Sequence, residues 1–373
     1  MFIKVGKEGT VEELKRLIEE CRDESFAKSL LLLACDENGF TPELIDEILR
    51  DASIPLFGGI FPAIVWNRQK LEKGTIVACL PVESKIEVIP SLSNAEIEYE
   101  DIIDAKIPDS ALTKTMFVFV DGFAQRISAL LEGLFDVFGL EFNYIGGGAG
   151  SMSMVQKPCL FTNAGLIQDS AVLALLEIES GVGVSHGWET LSGPYRVTKS
   201  DRNIINELDW SPAFDVYRRA VEKSSGRNLD WDNFFEIAKC YPFGISKLGA
   251  EKVIRDPFKP TDESGLVCVG EVPQEAFVHI MKGDISSLVA SAMKARELAE
   301  KGFRGAGKEG TLFMMDCISR VYFLEENFGA ELEAVCGNGR PLIGAMSIGE
   351  IANSGKDYLE FYNKTAVVAV LDM

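Results

Sequence analysis

The stretch Asn143-Tyr144-Ile145-Gly146-Gly147-Gly148 decides the fold, because it is an apolar strand that ends on consecutive glycines. The apolar strand Met116–Val120 precedes it, and Ala124–Phe138, between the two, has the spacing of a helix. The strand Ala171–Leu176 follows. The order is therefore strand, helix, glycine-marked strand and return strand, and two strands joined by a crossover helix run parallel.

The same order occurs twice more, each time with roughly 30 residues between the first strand and its glycine, which suits one crossover helix. The earlier pass consists of Ser29–Ala34, a helix from Thr41 to about Asp51, Ile54–Gly59 and Thr75–Leu80. The later pass consists of Thr311–Met315, a helix over Tyr322–Phe328, Pro341–Gly344 and Ala366–Leu371. An internal repeat is one interpretation. The alternative is that any α/β chain shows a similar order.

The alternation of crossover helices with hairpins predicts an α/β protein of the mixed α+β type. We expect mixed sheets flanked by helices, built from repeated strand-helix-strand-hairpin units. An αββα-like layered sandwich is one form that such units take. The sequence leaves open whether the strands form one sheet or two.

Glycines at strand ends are candidate ligand-binding positions, namely Gly58, Gly59, Gly146 and Gly147. Glycine there lets a ligand or another backbone approach closely. Three such strand ends could surround one cleft. The alternative is tight packing of a strand against a helix with no ligand present.

The chain is long enough for two domains, since its 373 residues exceed what one hydrophobic core usually supports. The polar, breaker-rich segment Lys223–Asn228 lies between the predicted helices Ala213–Glu222 and Trp231–Cys240. It predicts a boundary between domains 1–224 and 225–373.

The charge balance excludes two classes of partner. Acidic residues outnumber basic ones by 57 to 37, which gives a formal net charge of −20. Such a charge repels phosphate backbones and anionic lipid headgroups, so we expect neither nucleic acid nor a membrane surface as partner.

The eight cysteines contain no C-x-x-C pair, which is typical of a reduced, cytoplasmic protein. The N-terminus also lacks the apolar segment of a signal peptide.

Several familiar catalytic motifs are incomplete. The run Gly146–Ser151 lacks the spacing of a dinucleotide-binding loop and the lysine of a phosphate loop. Ala345-Met346-Ser347-Ile348-Gly349 is one residue short of a nucleophile elbow, and no histidine follows it. Two histidines and no paired cysteines are too few for a zinc site, although an all-carboxylate cation site stays open. We therefore expect no cofactor and no metal.

A set of short segments occurs in a fixed order over more than half of the chain. They are Gly146-Gly147, the hairpin Cys159–Leu176, His186-Gly187-Trp188, Val197-Thr198-Lys199-Ser200, Glu207-Leu208-Asp209, Pro212-Ala213, Tyr217, Cys317-Ile318-Ser319-Arg320, Ser347-Ile348-Gly349-Glu350-Ile351 and Asn363-Lys364-Thr365. In this order they resemble the FIST domain family of F-box and intracellular signal transduction proteins, with its N-terminal domain in 1–224 and its C-terminal domain in 225–373. Ser319 and Trp210 stand where the resemblance leads us to expect glycine, which puts the local turns in doubt but not the fold.

The resemblance implies an intracellular sensory module that binds a small molecule such as an amino acid. It implies no established catalytic activity. Its output would pass through a separate signalling protein, and the sequence is compatible with an oligomer.

Cys317 and Arg320 are the first candidate site residues. A cation close to a thiol favours the thiolate, so the pair predicts a reactive cysteine that faces the ligand. The alternative is a buried, inert thiol that continues the apolar strand Leu312–Met315.

His186 and Trp188 are further candidates, because they lie in a glycine-rich segment that suits a binding loop as well as it suits a packed pair. Arg196 beside Thr198 could hold a ligand carboxylate by paired hydrogen bonds, or could belong to an exposed strand face.

The segment Ser347-Ile348-Gly349-Glu350 supplies the last candidates, Ser347, Gly349 and Glu350. Glu350 could hold a ligand ammonium or begin a helix, where a carboxylate is favoured in any case.

Two classes of function follow. The first is a sensory module in which Arg196 and Glu350 hold a zwitterionic metabolite across a glycine-walled cleft. The second is a thiol-dependent enzyme with Cys317 as nucleophile and His186 as base. Stabilisation by a ligand without turnover favours the first class, and loss of a reaction in Cys317→Ser favours the second.

Overall fold

The computed structural model describes residues 2–108, 113–247, 252–305, 310–337, 339–353 and 358–372. Within these residues the strands form four sheets, which contain both parallel and antiparallel pairs. The mixed α+β class predicted from the sequence is confirmed.

The first helix of the first pass, α1, is capped by Thr10, whose side chain accepts a hydrogen bond from the Glu13 amide. The elements of this pass are β1 (Phe2–Gly6), α1 (Val11–Arg22), β2 (Ser29–Cys35), α2 (Pro42–Arg50), β3 (Leu56–Phe61), β4 (Ala63–Trp66), β5 (Gln69–Leu71) and β6 (Thr75–Leu80).

The second pass repeats the same order of strands and helices. Its elements are β7 (Ser84–Pro90), α3 (Tyr99–Lys106), β8 (Thr115–Asp121), α4 (Ile127–Phe138), β9 (Asn143–Ala149), β10 (Leu160–Thr162), β11 (Gly165–Ile167) and β12 (Ser170–Leu176).

The third pass begins with β13 (Ser180–Ser185) and resumes only after an inserted sheet. The inserted elements are β14 (Glu189–Asp201), β15 (Ile204–Leu208), β16 (Ser211–Pro212), α5 (Ala213–Ser225), α6 (Phe234–Ala238), β17 (Phe243–Ile245), β18 (Val253–Pro260), β19 (Leu266–Val269) and β20 (Phe277–Lys282). The pass then continues with α7 (Ile285–Gly302), β21 (Thr311–Cys317), α8 (Ile318–Leu324), α9 (Phe328–Cys336), β22 (Leu342–Ser347), β23 (Glu350–Ala352), β24 (Glu360–Tyr362) and β25 (Ala366–Leu371). The single helix predicted over Tyr322–Phe328 is wrong, because Glu325 has a φ of 50° and a short 3-10 turn separates α8 from α9.

The three passes have the same strand topology, which confirms the predicted repeat. In each, the first strand pairs in parallel with the glycine-marked strand and antiparallel with the return strand. The register also repeats, since Gly58 lies opposite Leu32, Gly146 opposite Val118 and Gly344 opposite Met314.

The passes exchange hairpins in a cycle. The hairpin β4–β5 of the first pass extends the third sheet at β22, β10–β11 of the second pass extends the first sheet at β3, and β23–β24 of the third pass extends the second sheet at β9. Each of these sheets therefore takes two of its six strands from another pass.

The inserted strands form the closed sheet, named so because β14 pairs with both β20 and β15 and so closes the strands from β14 to β15 into a ring, with β16 attached to β15. Strands from both sides of residue 224 share this sheet and the sheets that contain β9 and β22. The boundary predicted between 1–224 and 225–373 stays a prediction.

Phenylalanines from all three passes fill the core between the sheets. The rings of Phe57 and Phe117 are 5.6 Å apart, and those of Phe117 and Phe313 are 5.1 Å apart. All three side chains are fully buried. The place where the three passes meet is therefore packed with aromatic rings.

Candidate functional site

A cavity of about 750 Å³ lies where the closed sheet faces the second and third passes; we name it the junction cavity. The closed sheet contributes Asp256 and Phe258 to its wall. The loop after β8 contributes Phe123, and the third pass contributes Cys317 and Asn363. The cavity is large enough for a small metabolite.

Asn363 is the most informative residue in this wall. Its side chain is 1% exposed, and neither its amide nitrogen nor its amide oxygen has a hydrogen-bond partner. The great majority of buried side-chain polar atoms are paired, so an amide with both atoms unpaired needs an explanation. A ligand in the cavity is one.

Asp256 is a second buried group with a free acceptor. Its Oδ2 lies 3.1 Å from Lys364 Nζ, whereas its Oδ1 has no partner. Burial raises the pKa of Asp256, and the charge of Lys364 acts in the opposite direction. Asp256 therefore presents one unused oxygen on the cavity wall.

Lys364 lies behind Asp256 and fixes the strand that carries Asn363. Its ammonium donates to the Lys239 carbonyl at 3.0 Å and lies 5.3 Å from the centroid of the Trp188 ring. The indole of Trp188 donates to the Lys364 carbonyl at 3.1 Å. Lys364 is fully buried, so its contacts hold Asn363 in place from behind.

The remaining wall is largely apolar and aromatic. Phe123 and Phe258 are half-buried, whereas Phe235, Tyr322 and Met154 are exposed to solvent. An apolar pocket with a few polar groups in fixed positions is the usual form of a small-molecule site.

Cys317 lies on the cavity wall and is 3% exposed. Burial raises the pKa of its thiol, and the nearby Glu350 carboxyl raises it further. The raised pKa weighs against the expectation that Arg320 makes this thiol a thiolate, and that expectation stays a prediction. Cys317 lies on the cavity wall as a buried thiol.

Arg320 holds elements together and does not line the cavity. Its guanidinium lies 3.0 Å from Glu331 Oε1 and 3.1 Å from Asp316 Oδ1. It also donates to the carbonyls of His186 at 2.8 Å and Leu288 at 3.0 Å. Arg320 thus connects β21 to α7, α9 and the segment after β13.

Ser347 and Glu350 lie directly behind Cys317 and are fully buried. The Ser347 hydroxyl donates to Glu350 Oε1 at 2.8 Å, and the Thr365 amide donates to Oε2 at 3.3 Å. Burial raises the pKa of Glu350 to about 8. Gly349 lines the cavity with a φ of 89°, and a Cβ at this position would overlap the Phe361 ring.

The other predicted glycines lie at strand pairings. A Cβ at Gly58 would overlap the Leu32 carbonyl, and one at Gly146 would overlap the Val118 carbonyl. Gly59 lies close to Ala149, and Gly147 close to Gly349. Backbone and side-chain atoms fill the space at these four glycines, and none of the four lines the junction cavity.

Trp188 and His186 lie behind the cavity wall. The Trp188 side chain is buried against Lys364 and the Phe323 ring. The Nδ1 atom of His186 accepts the amide of Trp188 at 2.9 Å. The pair supports Lys364 and Arg320 from the side away from the cavity.

Arg196 and Thr198 lie on β14, outside the junction cavity. Arg196 forms an exposed ion pair with Glu275, and its guanidinium lies 5.8 Å from the centroid of the Trp210 ring. The Thr198 hydroxyl accepts the Trp210 amide at 3.0 Å. The structure therefore brings Cys317, Ser347, Gly349 and Glu350 together and leaves Arg196 and Thr198 on another surface.

The sequence reasoning missed Asp256 and Asn363 as site residues. A signal was present, since Asp256 follows Ile254 and Arg255 in a strand, and Lys364 lies two residues before the apolar run 366–371. A charged residue within a strand that must be buried needs a partner, and such pairs are frequent at functional sites.

Two searches of the described part of the chain gave negative results. No helix there is long and apolar enough to cross a membrane. No group of three or more His, Cys, Asp or Glu side chains in those ranges is arranged to hold a metal ion.

Comparison with known families gives two matches. The sequence matches the FIST N domain over residues 29–211 and the FIST C domain over residues 213–353. A search of curated proteins finds no match. Together the two family matches extend from β2 of the first pass to β23 of the third pass.

Proposed function

This chain belongs to the FIST family, whose domains are associated with sensory roles in signal transduction, and we propose that its junction cavity binds the small molecule that is sensed. The observation that carries the proposal is the buried Asn363 amide with no partner on the cavity wall. Leaving such a group unpaired costs about 1–3 kcal/mol, and a bound ligand would remove that cost.

An amino acid, the ligand class expected from the sequence, is one molecule that such a wall accepts. Its ammonium would donate to Asp256 Oδ1, and its carboxylate would accept from the Asn363 amide. Arg196, proposed earlier as the partner of the carboxylate, is separated from this wall. A ligand here would contact both the closed sheet and the third pass. We propose that the change which ligand binding causes in these two parts is transmitted to a separate signalling protein.

The test is a thermal-shift and calorimetric screen of amino acids and related metabolites. We expect a ligand to stabilise the wild type, and Asn363→Leu to remove that stabilisation. Arg196→Ala is the control and should bind as the wild type does. A ligand that loses affinity in Arg196→Ala and keeps it in Asn363→Leu would place the site elsewhere.

The thiol-dependent enzyme remains the alternative, with Cys317 on the cavity wall as its nucleophile. The raised pKa of the thiol weighs against it, because the thiolate is the reactive form. We expect Cys317→Ser to keep ligand binding within about threefold of the wild type. A ligand that is chemically converted by the wild type and not by this variant would favour the enzyme.

A further inference from the structure

We infer that the ligand of the junction cavity is an uncharged, planar heterocycle with a cyclic amide edge, as in purine and pyrimidine bases. This inference rests on the proposed function and names the class of molecule that the cavity recognises. It differs from the amino acid discussed above in charge and in shape.

The first argument comes from the Asn363 carboxamide. Its amide nitrogen and oxygen lie in one plane, are both unpaired, and offer a donor beside an acceptor. The complementary partner is a group with an N–H beside a C=O, because two parallel hydrogen bonds then form. Asparagine and glutamine recognise the edges of bases in this bidentate way.

The second argument comes from charge. Asp256 already faces the Lys364 ammonium at 3.1 Å, so its charge is balanced within the protein. Its free Oδ1 can accept an N–H without requiring a positive ligand. A ligand ammonium would bring an excess positive charge to this buried pair, which is costly away from water.

A ligand carboxylate would find little positive charge on the cavity wall to balance its own charge. Among the described residues of the cavity wall, Arg202 is the one cation, and its side chain is exposed. Lys364 is fully buried and engaged by Asp256 and the Lys239 carbonyl. A neutral polar edge therefore suits this wall better than a zwitterion.

The third argument comes from the aromatic wall. Phe123, Phe235, Phe258 and Tyr322 all line the cavity. Stacking of a base on an aromatic side chain contributes about 1–3 kcal/mol. A flat ring can bury its face on these side chains and direct its amide edge to Asn363, whereas an amino acid has no such face.

The experiment measures binding of uracil and hypoxanthine to the full chain by titration calorimetry. The matched controls are 1,3-dimethyluracil and 1,9-dimethylhypoxanthine, in which methyl groups block the N–H donors while the ring stays flat. We expect at least one unmethylated base to bind and its methylated counterpart to bind roughly 10- to 100-fold more weakly. Asn363→Leu should weaken binding of that base by a similar factor.

A second panel of amino acids separates this inference from the proposed function. Binding of an amino acid, lost in Asn363→Leu, with no binding of either base would overturn the heterocycle and leave the sensory cavity standing. Equal binding of the methylated and unmethylated bases would also overturn it. If neither the bases nor the amino acids bind, the heterocycle is rejected. If, in addition, no small molecule is recovered with the purified protein, the proposed function is rejected too.

Discussion

Asn363 and Asn353 are two buried asparagines with opposite surroundings. Asn353 accepts the Tyr144 amide at 3.0 Å and donates to the Phe142 carbonyl at 2.9 Å, whereas the Asn363 side chain has no partner. Both side chains are almost completely buried. We propose that the Asn353 amide holds the fold, whereas the Asn363 amide is kept for a ligand.

Asn363→Leu should not destabilise the unliganded protein. The substitution removes an unpaired amide and keeps the side chain's approximate size, so we expect the free energy of unfolding to rise by about 1 kcal/mol. Urea denaturation measures it. Asn353→Leu is the matched control and should lower the free energy of unfolding by roughly 2–3 kcal/mol, because it leaves a backbone N–H and a C=O unpaired. A comparable loss in Asn363→Leu would show that this amide serves the fold.

Glu350 makes stability depend on pH. Its folded pKa of about 8 lies above the unfolded value of about 4.3, so between these values the folded state holds a proton that the unfolded state has lost. This contribution to stability is complete below the lower value and is lost as pH rises through about 8.

We expect Glu350→Gln to gain stability relative to the wild type as pH rises, by up to about 1.4 kcal/mol per pH unit between pH 5 and 8. Burial and the neighbouring Glu331 raise the pKa of Asp316, and Glu350 adds to that shift, so the difference between the two proteins includes the interaction of Glu350 with Asp316. Urea denaturation at pH 5, 6.5 and 8 measures the difference. Parallel stability curves for the two proteins would show that Glu350 is ionised in the fold.

In each pass, one glycine of the glycine-marked strand lies opposite a residue of the first long strand. Because a Cβ at Gly344 would overlap the Met314 carbonyl, Gly344→Ala should lower the free energy of unfolding by roughly 1–3 kcal/mol. Gly329 lies in α9 with nothing within 4 Å of a Cβ, so Gly329→Ala is the control and should stabilise by up to about 1 kcal/mol. Chemical denaturation of both variants tests the comparison, and equal stability of the two would contradict it.

The local order of the passes could be read from the sequence, because apolar runs and glycines act over a few residues. The strands at Ser29, Asn143 and Ala366 start at the residues expected for them. The exchange of hairpins could not be predicted from the sequence. The paired residues of β4 and β22 are roughly 280 positions apart in the chain, and no local pattern specifies that pairing. The break between α8 and α9 was also missed, because a positive φ at Glu325 has no signal in the residue type.

The candidate site was only partly predictable for the same reason. Cys317, Gly349 and Glu350 belong to one pass and were found from their motifs. Asp256 comes from the closed sheet and meets them only through long-range strand pairing. Arg196 was assigned to the ligand site by residue type alone. Its ion pair with Glu275 depends on a long-range contact that the sequence does not predict.

Because the sheets are shared, we expect the whole molecule to unfold as one cooperative unit. A fragment of residues 1–224 would lose β22 and β25, which pair with its strands β4 and β13. We expect fragments 1–224 and 225–373 to lack a cooperative unfolding transition when expressed alone, because both would expose unpaired strand edges. Circular dichroism during heating measures this, with the intact chain as control. A cooperative transition in either fragment would show that the two halves fold independently.

The central claim is that the junction cavity holds a small molecule at Asn363. The most direct measurement is a crystal structure of the protein purified from its native cells without added ligand. We predict density for one small molecule within hydrogen-bonding distance of the Asn363 amide and Asp256 Oδ1, with a flat body against Phe258. A cavity that contains only water while a metabolite occupies another surface, such as that of Arg196 and Thr198, would contradict the account.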